Sequence, residues 1–495
     1  MVVGIPLGLV IALLAPAWTA YDEFTHFARV VDMAQGNLEP TRSTEGIGSR
    51  IPTAHREATD QIILDHQEGR PPWSPTSIRA LLDHRPDGRT TFVDTRPTTA
   101  STPVAYLPAA AGALVPVALN APGLVVLWAS RLASLAAYLG IAVVAVRGAS
   151  AFRWSLAASA LVPLNLALAS SVSPDGLTIA AVLLVISLWT RVETGDEVKM
   201  SALVGAFLLL ALTKPPYFLA LALFPASALL ERSPARTRAA LMAGGGLLVG
   251  LATTASNSSE NYQAATTTMI QEIDYQPGVQ WDRLLGDLPG FLWTTVDTWL
   301  TEYRFYVQGW FRQLGFWEAD LPRVVPWALL VVAALAVLRL DGGDLARLRG
   351  VRRVLMILGV GSFLVALYAA SYIYFTDRMD YAHIGLQMAR YAAPLAPLAI
   401  VAWLPRSSRI VSSRLSERTA TLIIGGVPVI AVGASALTWL WTGANTPLGG
   451  GRLSAGPDTP VAPQRQRLPD RGWPARRRRG TGRKRVATRS HVDAG

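Results

Sequence analysis

The sequence contains no cysteine and few charged residues. Without cysteine, the chain of 495 residues has no disulfide bond, thiolate zinc site or cysteine nucleophile. Only 16% of the residues are charged and 51% are hydrophobic, and the mean hydropathy is +0.32. The P-loop, the GxSxG nucleophile motif and the HExxH zinc motif are also missing. This composition is typical of a polytopic membrane protein and not of a soluble enzyme.

Positive charge is concentrated at the C-terminal end. The formal net charge is +11, and residues 442–495 contain 12 basic and 3 acidic residues, which leaves little excess charge in the rest of the chain. No nucleic-acid partner is therefore expected for that larger part. The tail is rich in Gly, Pro and Arg, which predicts a disordered segment that binds anionic membrane lipids. The number of spans places the tail outside, whereas its charge favours the inside.

Apolar runs divide residues 1–441 into about 11 candidate transmembrane helices, which predicts an all-α integral membrane domain. The first run has no basic start and no small-residue cleavage site before Asp22, so a retained helix is expected. The candidate spans lie at about residues 2–18, 122–146, 152–170, 175–191, 200–213, 215–230, 237–255, 322–339, 351–373, 391–405 and 419–441.

Basic loops predict the orientation of these spans. With the N-terminus inside, the short loops rich in Arg and Lys also fall inside, as the positive-inside rule requires. Residues 19–103 and 256–321 then form two long outer segments. The first is expected to contain short helices and loops, with an interfacial helix following at 104–119. Five tryptophans in the second favour interfacial helices over an aromatic sugar platform.

Ionisable residues cluster directly after the first span. If the chain is helical from Tyr21 onward, Asp22, His26 and Arg29 share one face, because residues four and seven apart align on a helix. Such a stripe would place a base, a second ligand and a cation at the membrane boundary. The alternative is a solvated helix whose acidic residues only favour its N-terminus. Asp22 and His26 also form a weak candidate metal pair.

Other ionisable residues also fall at the predicted outer ends of spans. A cluster contributed by separate helices at a membrane boundary predicts a functional site. Each member also has a structural explanation: Asp175 suits a helix N-terminus, Lys214 could snorkel to the surface, and Arg390 could be an ion-pair partner. Lys214-Pro215-Pro216 should break the hairpin of spans 200–213 and 215–230. The cluster includes Asp175, Lys214, Asp377, Arg378, Asp380, His383 and Arg390.

Several short motifs, taken in order, resemble the bacterial family called domain of unknown function 2142 over about residues 1–440. The motifs are Asp22-Glu23-x-x-His26-x-x-Arg29, Arg131-Leu132-Ala133-Ser134, Ser173-Pro174-Asp175, Lys214-Pro215-Pro216, Gly315-Phe316-Trp317 and Arg390-Tyr391-Ala392-Ala393-Pro394. Ala20-Tyr21 replaces the usual Pro-Pro, and Ala389 replaces the usual glycine. The family is grouped with the glycosyltransferase-C superfamily, so the resemblance implies a polyprenyl-phosphate sugar donor and an acidic residue in the first outer loop.

The expected chemistry agrees with that implication. Sugar transfer to a cell-envelope acceptor needs a base for the acceptor hydroxyl and cations for the leaving phosphate. Asp22 is the expected base with Glu23 in support, and Lys214 and Arg390 are the expected phosphate ligands. Asp175 would orient them or hold a divalent metal, and His26, Arg29 and Tyr391 complete the expected substrate contacts. A transporter, a flippase or a scaffold for lipid-linked glycans is the alternative, because the same charges would line a path.

Overall fold

The computed structural model describes residues 2–20, 22–44, 46–67, 73–269, 277–312, 314, 321–347, 350–375, 388–396, 399–400 and 415–445. The predicted tail from residue 446 onward, the ionisable residues between 377 and 383, and the Gly315-Phe316-Trp317 motif lie outside these ranges.

The N-terminal part combines short helices with a small sheet. Its elements are α1 (Gly4–Leu14), α2 (Glu23–Ala34), β1 (Thr41–Ser43), β2 (Gly46–Pro52), α3 (Thr53–Gln67), α4 (Pro75–Asp83), β3 (Thr90–Asp94), 3₁₀ helices at Arg96–Ala100 and Pro103–Tyr106, and α5 (Leu107–Ala118).

The rest of the described chain is helical. Its elements are α6 (Gly123–Gly148), α7 (Arg153–Ala160), α8 (Pro163–Ala169), α9 (Asp175–Thr194), α10 (Met200–Ala211), a 3₁₀ helix at Tyr217–Ala222, α11 (Leu223–Leu230), α12 (Pro234–Met269), α13 (Pro277–Gly286), α14 (Leu288–Arg312), α15 (Val324–Arg347), α16 (Gly350–Phe375), α17 (Met388–Ala392), a 3₁₀ helix at Ala393–Leu395, and α18 (Glu417–Asn445).

Six helices in the described residues are long and apolar enough to cross a membrane, so the predicted number of about 11 spans is not confirmed. Helix α9 is the most enclosed of them, with 89% of its apolar window buried inside the protein. The main hydrophobic core lies around it. The six candidates are Gly123–Gly148, Asp175–Thr194, Pro234–Ser256, Val324–Gly342, Gly350–Ala370 and Glu417–Leu440.

The other predicted spans correspond to short or broken helices. The run at 2–18 forms only α1, whose 11 residues extend about 16 Å, half of a bilayer core. The run at 152–170 divides into α7 and α8 ahead of Pro163, because proline cannot continue a helix from the preceding turn. The predicted hairpin is broken between α10 and Tyr217, at the proline pair. The predicted span at 391–405 is described only to residue 400 and begins with α17 and a 3₁₀ turn.

Residues 19–103, the predicted first outer segment, contain a sheet, so the prediction of an all-α protein is wrong for this part of the chain. β1 and β3 each pair antiparallel with β2, and the register joins Arg42 to Ile47 and Arg50 to Phe92. Gly48 permits this pairing, since a Cβ atom there would lie 2.3 Å from the Val93 carbonyl oxygen. The strands are short and partly polar, so they lack the long alternating pattern that identifies a strand from sequence.

Ion pairs bring the predicted inner loops together at one end of the helices. Arg352 lies 2.8 Å from Glu193 and 2.7 Å from Glu231, and Arg236 lies 2.8 Å from Glu231. Glu193 is near the end of α9, 18 residues after Asp175, a separation of about 27 Å along a helix. The basic loops and the start of α9 therefore lie at opposite ends of a layer as thick as a bilayer core.

Helix α15 contributes to the same end by capping α7. Asp341 accepts hydrogen bonds from the Ser155 backbone N–H at 2.6 Å and from the Ser155 hydroxyl at 2.8 Å. Asp344 accepts one from the Phe152 N–H at 3.0 Å. These carboxylates satisfy donors that the first turn of a helix leaves unpaired.

Candidate functional site

Asp22 lies at the N-terminus of α2 with a left-handed backbone, φ 57°. Asp tolerates this conformation better than most residues, and such backbones recur at functional sites. The side chain is 48% exposed, while Glu23 beside it is completely buried. The turn between α1 and α2 thus presents one carboxylate outward and turns the next one into the protein.

Glu23 is part of a buried ion pair that holds this turn. Arg131 of α6 donates to Glu23 through Nε at 2.8 Å and through Nη2 at 2.5 Å. The other N–H groups of Arg131 donate to the carbonyls of Ala12, Ala15 and Pro16 at 3.2, 2.9 and 3.1 Å, so all five donors are used. Glu23 Oε1 also accepts the Val172 N–H at 3.0 Å. Glu23 is therefore a positioning residue that fixes the turn between α1 and α2. Its burial and its pairing with Arg131 do not support the predicted role of assisting a catalytic base.

Two ion pairs lie close together, and Asp22 belongs to one of them. Arg390 Nη2 lies 2.8 Å from Asp22 Oδ2, and Lys214 Nζ lies 2.6 Å from Asp175 Oδ1. Tyr391 lies between them: its ring centroid is 4.9 Å from Lys214 Nζ and 4.8 Å from Arg390 Cζ. Separate elements supply the charges, so residues far apart in sequence form one cluster. We call Asp22, Asp175, Lys214, Arg390 and Tyr391 the charged cluster.

Hydrogen bonds to buried groups fix the positions of Arg390 and Tyr391 in the cluster. The Tyr391 hydroxyl accepts a hydrogen bond from Arg390 at 2.8 Å, and its carbonyl accepts one from the Tyr217 hydroxyl at 2.8 Å. The side chains of Arg390 and Asp175 are 9% and 4% exposed, whereas Lys214 is 17% exposed. Access to the cluster is therefore through Asp22 and, to a smaller extent, Lys214.

Electrostatics keep Asp22 ionised. Burial acts to raise the pKa of Asp22, but the charge and hydrogen bond of Arg390, with further charges nearby, outweigh it and hold the pKa below its ordinary value. The four charged side chains sum to zero, so each carboxylate compensates one cation. A ligand anion that enters the cluster would compete with these carboxylates for the cations.

His26 lies beside the cluster in a neutral state. Burial lowers its pKa to about 4, and its Nδ1 is hydrogen-bonded to the Tyr106 hydroxyl at 2.9 Å. Within the described ranges, no group of three or more His, Asp or Glu side chains is arranged to hold a metal ion. Asp22 and Asp175 are each bound to a cation instead, so the suggested Asp22–His26 metal pair lacks a supporting ligand set.

Arg29 does not join the cluster, and the prediction that it shares a stripe with Asp22 is wrong. Helix α2 begins only at Glu23, and Arg29 donates instead to the Leu38 carbonyl and lies 4.0 Å from Glu39. The partner of Asp22 is Arg390, which follows it by 368 residues.

Three contributing residues were not identified by reasoning on the sequence. Arg131 was noted only as part of a motif, although a single arginine inside a long apolar run is itself a signal of a buried partner. Tyr106 and Tyr217 carry no comparable signal, because buried tyrosines are common in helical cores.

The comparisons agree with this architecture. The family described as "Predicted membrane protein (DUF2142)" matches residues 6–399, which cover the first outer segment and every member of the charged cluster. Neither the curated proteins nor the solved structures include a significant match. The match extends over most of the chain, and the chain therefore belongs to this family of predicted membrane proteins.

Proposed function

We propose that this protein is a membrane glycosyltransferase of the glycosyltransferase-C type. It would move a sugar from a polyprenyl-phosphate donor to a cell-envelope acceptor at the outer face of the cytoplasmic membrane. The observation that carries the proposal is the charged cluster, in which an accessible carboxylate lies beside two cations at one end of the helical layer. Base and phosphate ligands are the groups that this reaction needs.

In the proposed reaction, the acceptor oxygen forms a bond to the anomeric carbon while the bond from that carbon to the phosphate oxygen breaks. The acceptor proton passes to Asp22, and the polyprenyl phosphate leaves with its negative charge held by Lys214 and Arg390. A phosphate bound to Arg390 would also weaken its hold on Asp22. The pKa of Asp22 would then rise, and the carboxylate would become a stronger base when the donor is present.

An apolar cavity supports a donor with a prenyl chain. The cavity of about 90 Å³ lies between α7, α14, α15 and α18. Its lining includes Ala396 and Ile400, which follow Arg390 closely in sequence, with Leu161, Phe311 and Val427 around them. A lipid whose phosphate contacts Arg390 would therefore have an apolar surface for part of its chain.

Loss of the Asp22 base is the first test. We expect Asp22→Asn to bind the donor normally and to transfer sugar about 100- to 10,000-fold more slowly, the usual cost of losing a general base. The measurement is sugar transfer by the purified protein from a polyprenyl-phosphate donor, with donor binding determined separately. Asp282→Asn, at an exposed site in α13, is the control.

Transfer at the wild-type rate by Asp22→Asn would place the base elsewhere. Donor binding by the wild type without transfer to any acceptor would favour the transporter, flippase or scaffold function.

The second test separates phosphate binding from a structural ion pair. Lys214→Gln alone leaves Asp175 buried and unpaired, which is destabilising whatever the function. The double variant Asp175→Asn/Lys214→Gln keeps the cluster neutral, and we expect it to fold and to bind donor about 1.5 to 3 kcal/mol more weakly.

The control is Lys199→Gln, an exposed lysine at the opposite end of the helices. Donor affinity equal to that of the wild type in the double variant would identify the pair as purely structural. Arg390→Gln, tested in the same binding assay, extends the comparison to the second cation.

A further inference from the structure

A polar cavity lies beside α2, which contributes Arg29 to its lining. Its volume is about 280 Å³, and it opens between β1, the 3₁₀ helix Arg96–Ala100, and the end of the span in α12. The polar lining includes Arg29, Arg42, Thr99, Ser101, Thr102 and Ser256. The reaction proposed above uses none of these residues.

Arg29 is the unusual member of this lining. It is 3% exposed, and within the described part of the chain its Nη1 has no hydrogen-bond partner. A buried charged nitrogen without a partner costs free energy, so native proteins seldom retain one unless a ligand, ion or water completes it. Nη2 donates to the Leu38 carbonyl, which holds the guanidinium in place.

The charge of the lining favours an anion. The described lining contains two guanidinium groups, on Arg29 and Arg42, and the carboxylate of Glu39, which lies 4.0 Å from Arg29 with 79% of its side chain exposed, while the charge of the buried Asp32 also acts on Arg29. Solvent screens the exposed Glu39 carboxylate, so the two guanidinium groups leave the described lining with an excess of positive charge. Hydroxyl groups of Thr99, Ser101 and Thr102 add neutral hydrogen-bonding groups to the same walls.

Two connections link this cavity to the charged cluster. Arg29 follows Asp22 by seven residues along α2, a separation of about 10 Å. Between them, Tyr106 is hydrogen-bonded to His26 and is separated from the lining residue Ser101 by only five positions along the chain. On the other side, Thr102 donates to the Leu212 carbonyl, two residues before Lys214. The cavity and the cluster are therefore at the same end of the helical layer, connected through α2 and through the contact of Thr102 with Leu212.

We propose that this cavity binds an anionic carbohydrate, with its phosphate or carboxylate on Arg29 and its hydroxyls on the Ser and Thr side chains. The inference rests on the proposed function, in which this ligand is the acceptor held about 10 Å from Asp22. Binding at this position orients an acceptor hydroxyl toward the base, which accelerates transfer by proximity.

The test measures binding and needs no activity. The purified protein in detergent is titrated with glucose 1-phosphate, glucuronate, glucose and inorganic phosphate. We expect both charged sugars to bind, and glucose to bind at least 10-fold more weakly. Arg29→Gln should weaken the charged sugars about 10- to 100-fold, the effect of one charged hydrogen bond. Arg79→Gln, an exposed arginine in α4, is the matched control and should bind as the wild type does.

A second variant keeps the test valid if Arg29→Gln fails to fold. Ser256 is exposed at the cavity wall, and among the described residues its hydroxyl donates to the Thr253 carbonyl of its own helix. Ser256→Trp should therefore fill the cavity and leave the described tertiary hydrogen bonds in place. We expect this variant to lose binding of the charged sugars and to keep binding of the polyprenyl-phosphate donor.

Equal binding of glucose and the charged sugars would overturn the proposal, as would unchanged affinity in Ser256→Trp. Binding of inorganic phosphate alone would identify an anion site with no role for carbohydrate, and would overturn it too. The proposed function is tested separately. If it is wrong, the protein will show no sugar transfer or no donor binding, while the titration of the cavity with sugars and phosphate can still give the expected result.

Discussion

Asp22 and Arg390 show how one side chain changes the chemistry of another. The carboxylate is half-exposed, whereas the guanidinium beside it is 9% exposed and is hydrogen-bonded to the Tyr391 hydroxyl. In the proposed function, an anion that binds the buried Arg390 would weaken its ion pair with Asp22 and so raise the basicity of that carboxylate. The same pair would otherwise be an ordinary salt bridge, and the Asp22→Asn experiment separates the two roles.

His26 predicts a pH dependence of stability. Its pKa is about 4 in the folded protein and near 6.5 in an unfolded chain, so between these values only the unfolded chain binds the proton. Stability is therefore lost as pH falls from 6.5 to 4. We expect the unfolding free energy of the wild type to fall by about 2 kcal/mol more than that of His26→Gln between pH 7 and pH 4.5.

The measurement is denaturant unfolding in detergent at both pH values. The control is Thr76→Ala, an exposed position in α4 without a titratable side chain, which should retain the wild-type pH dependence. Parallel curves for the wild type and His26→Gln would contradict a neutral, buried His26.

At the scale of elements, α6 positions the turn that carries Asp22. Arg131 ties the last carbonyls of α1 to Glu23 at the start of α2. Residues 15–20 and Asp22 are not helical, so their backbone groups need partners from elsewhere. The Arg131 guanidinium donates hydrogen bonds to three of these or adjacent carbonyl groups. It therefore fixes the position of α1 relative to α2, although both helices are short.

Replacement of Arg131 should release this turn. We expect Arg131→Gln to lower the unfolding free energy by about 3 to 5 kcal/mol, because Glu23 is left charged and unpaired. The double variant Glu23→Gln/Arg131→Gln should lose less than the sum of the two single variants, which identifies direct coupling.

Denaturant unfolding in detergent measures both effects. Arg147→Gln, an exposed arginine near the other end of α6, is the matched control and should remain within about 0.5 kcal/mol of the wild type. A similar small change for Arg131→Gln would show that the ion pair does not hold the turn.

At the scale of the whole molecule, charged groups gather at two opposite ends of the helices. The charged cluster and the polar cavity share one end, and the Arg236 and Arg352 ion pairs lie at the other. A lipid-linked substrate presented at one membrane surface would therefore meet both the cluster and the cavity without crossing the helical layer.

This arrangement predicts a topology that labelling can test. The chain has no cysteine, so a single introduced cysteine reports on one position. We expect Thr76→Cys, exposed in α4, to react with an impermeant reagent from outside, and Ala235→Cys, exposed at the start of α12, to react only after the membrane is opened. Reaction of both cysteines from one side would contradict the placement of the cluster at the outer face.

Much of this architecture follows from local sequence. A membrane protein is indicated by long apolar runs, and six of those runs form helices long enough to cross a bilayer, since hydrophobic length is a local property. The positions of Asp175, Lys214 and Arg390 at one end of the helices also follow from counting spans and basic loops. The break near Pro215 follows from the chemistry of proline, which acts within one helical turn.

Tertiary structure alone decided the pairing of these groups. Sequence spacing suggested Arg29 as the partner of Asp22, but Asp22 has a left-handed backbone and α2 begins at Glu23 instead of Tyr21. The cation that contacts Asp22 is Arg390, from a helix distant in sequence. From sequence, Glu23 and Asp22 are equivalent acidic residues. In the structure, Glu23 is buried in an ion pair with Arg131, whereas the carboxylate of Asp22 is accessible. The small sheet likewise depends on long-range packing, because its short strands are stable only where neighbouring elements satisfy their backbone groups, whereas the divided helices break at prolines.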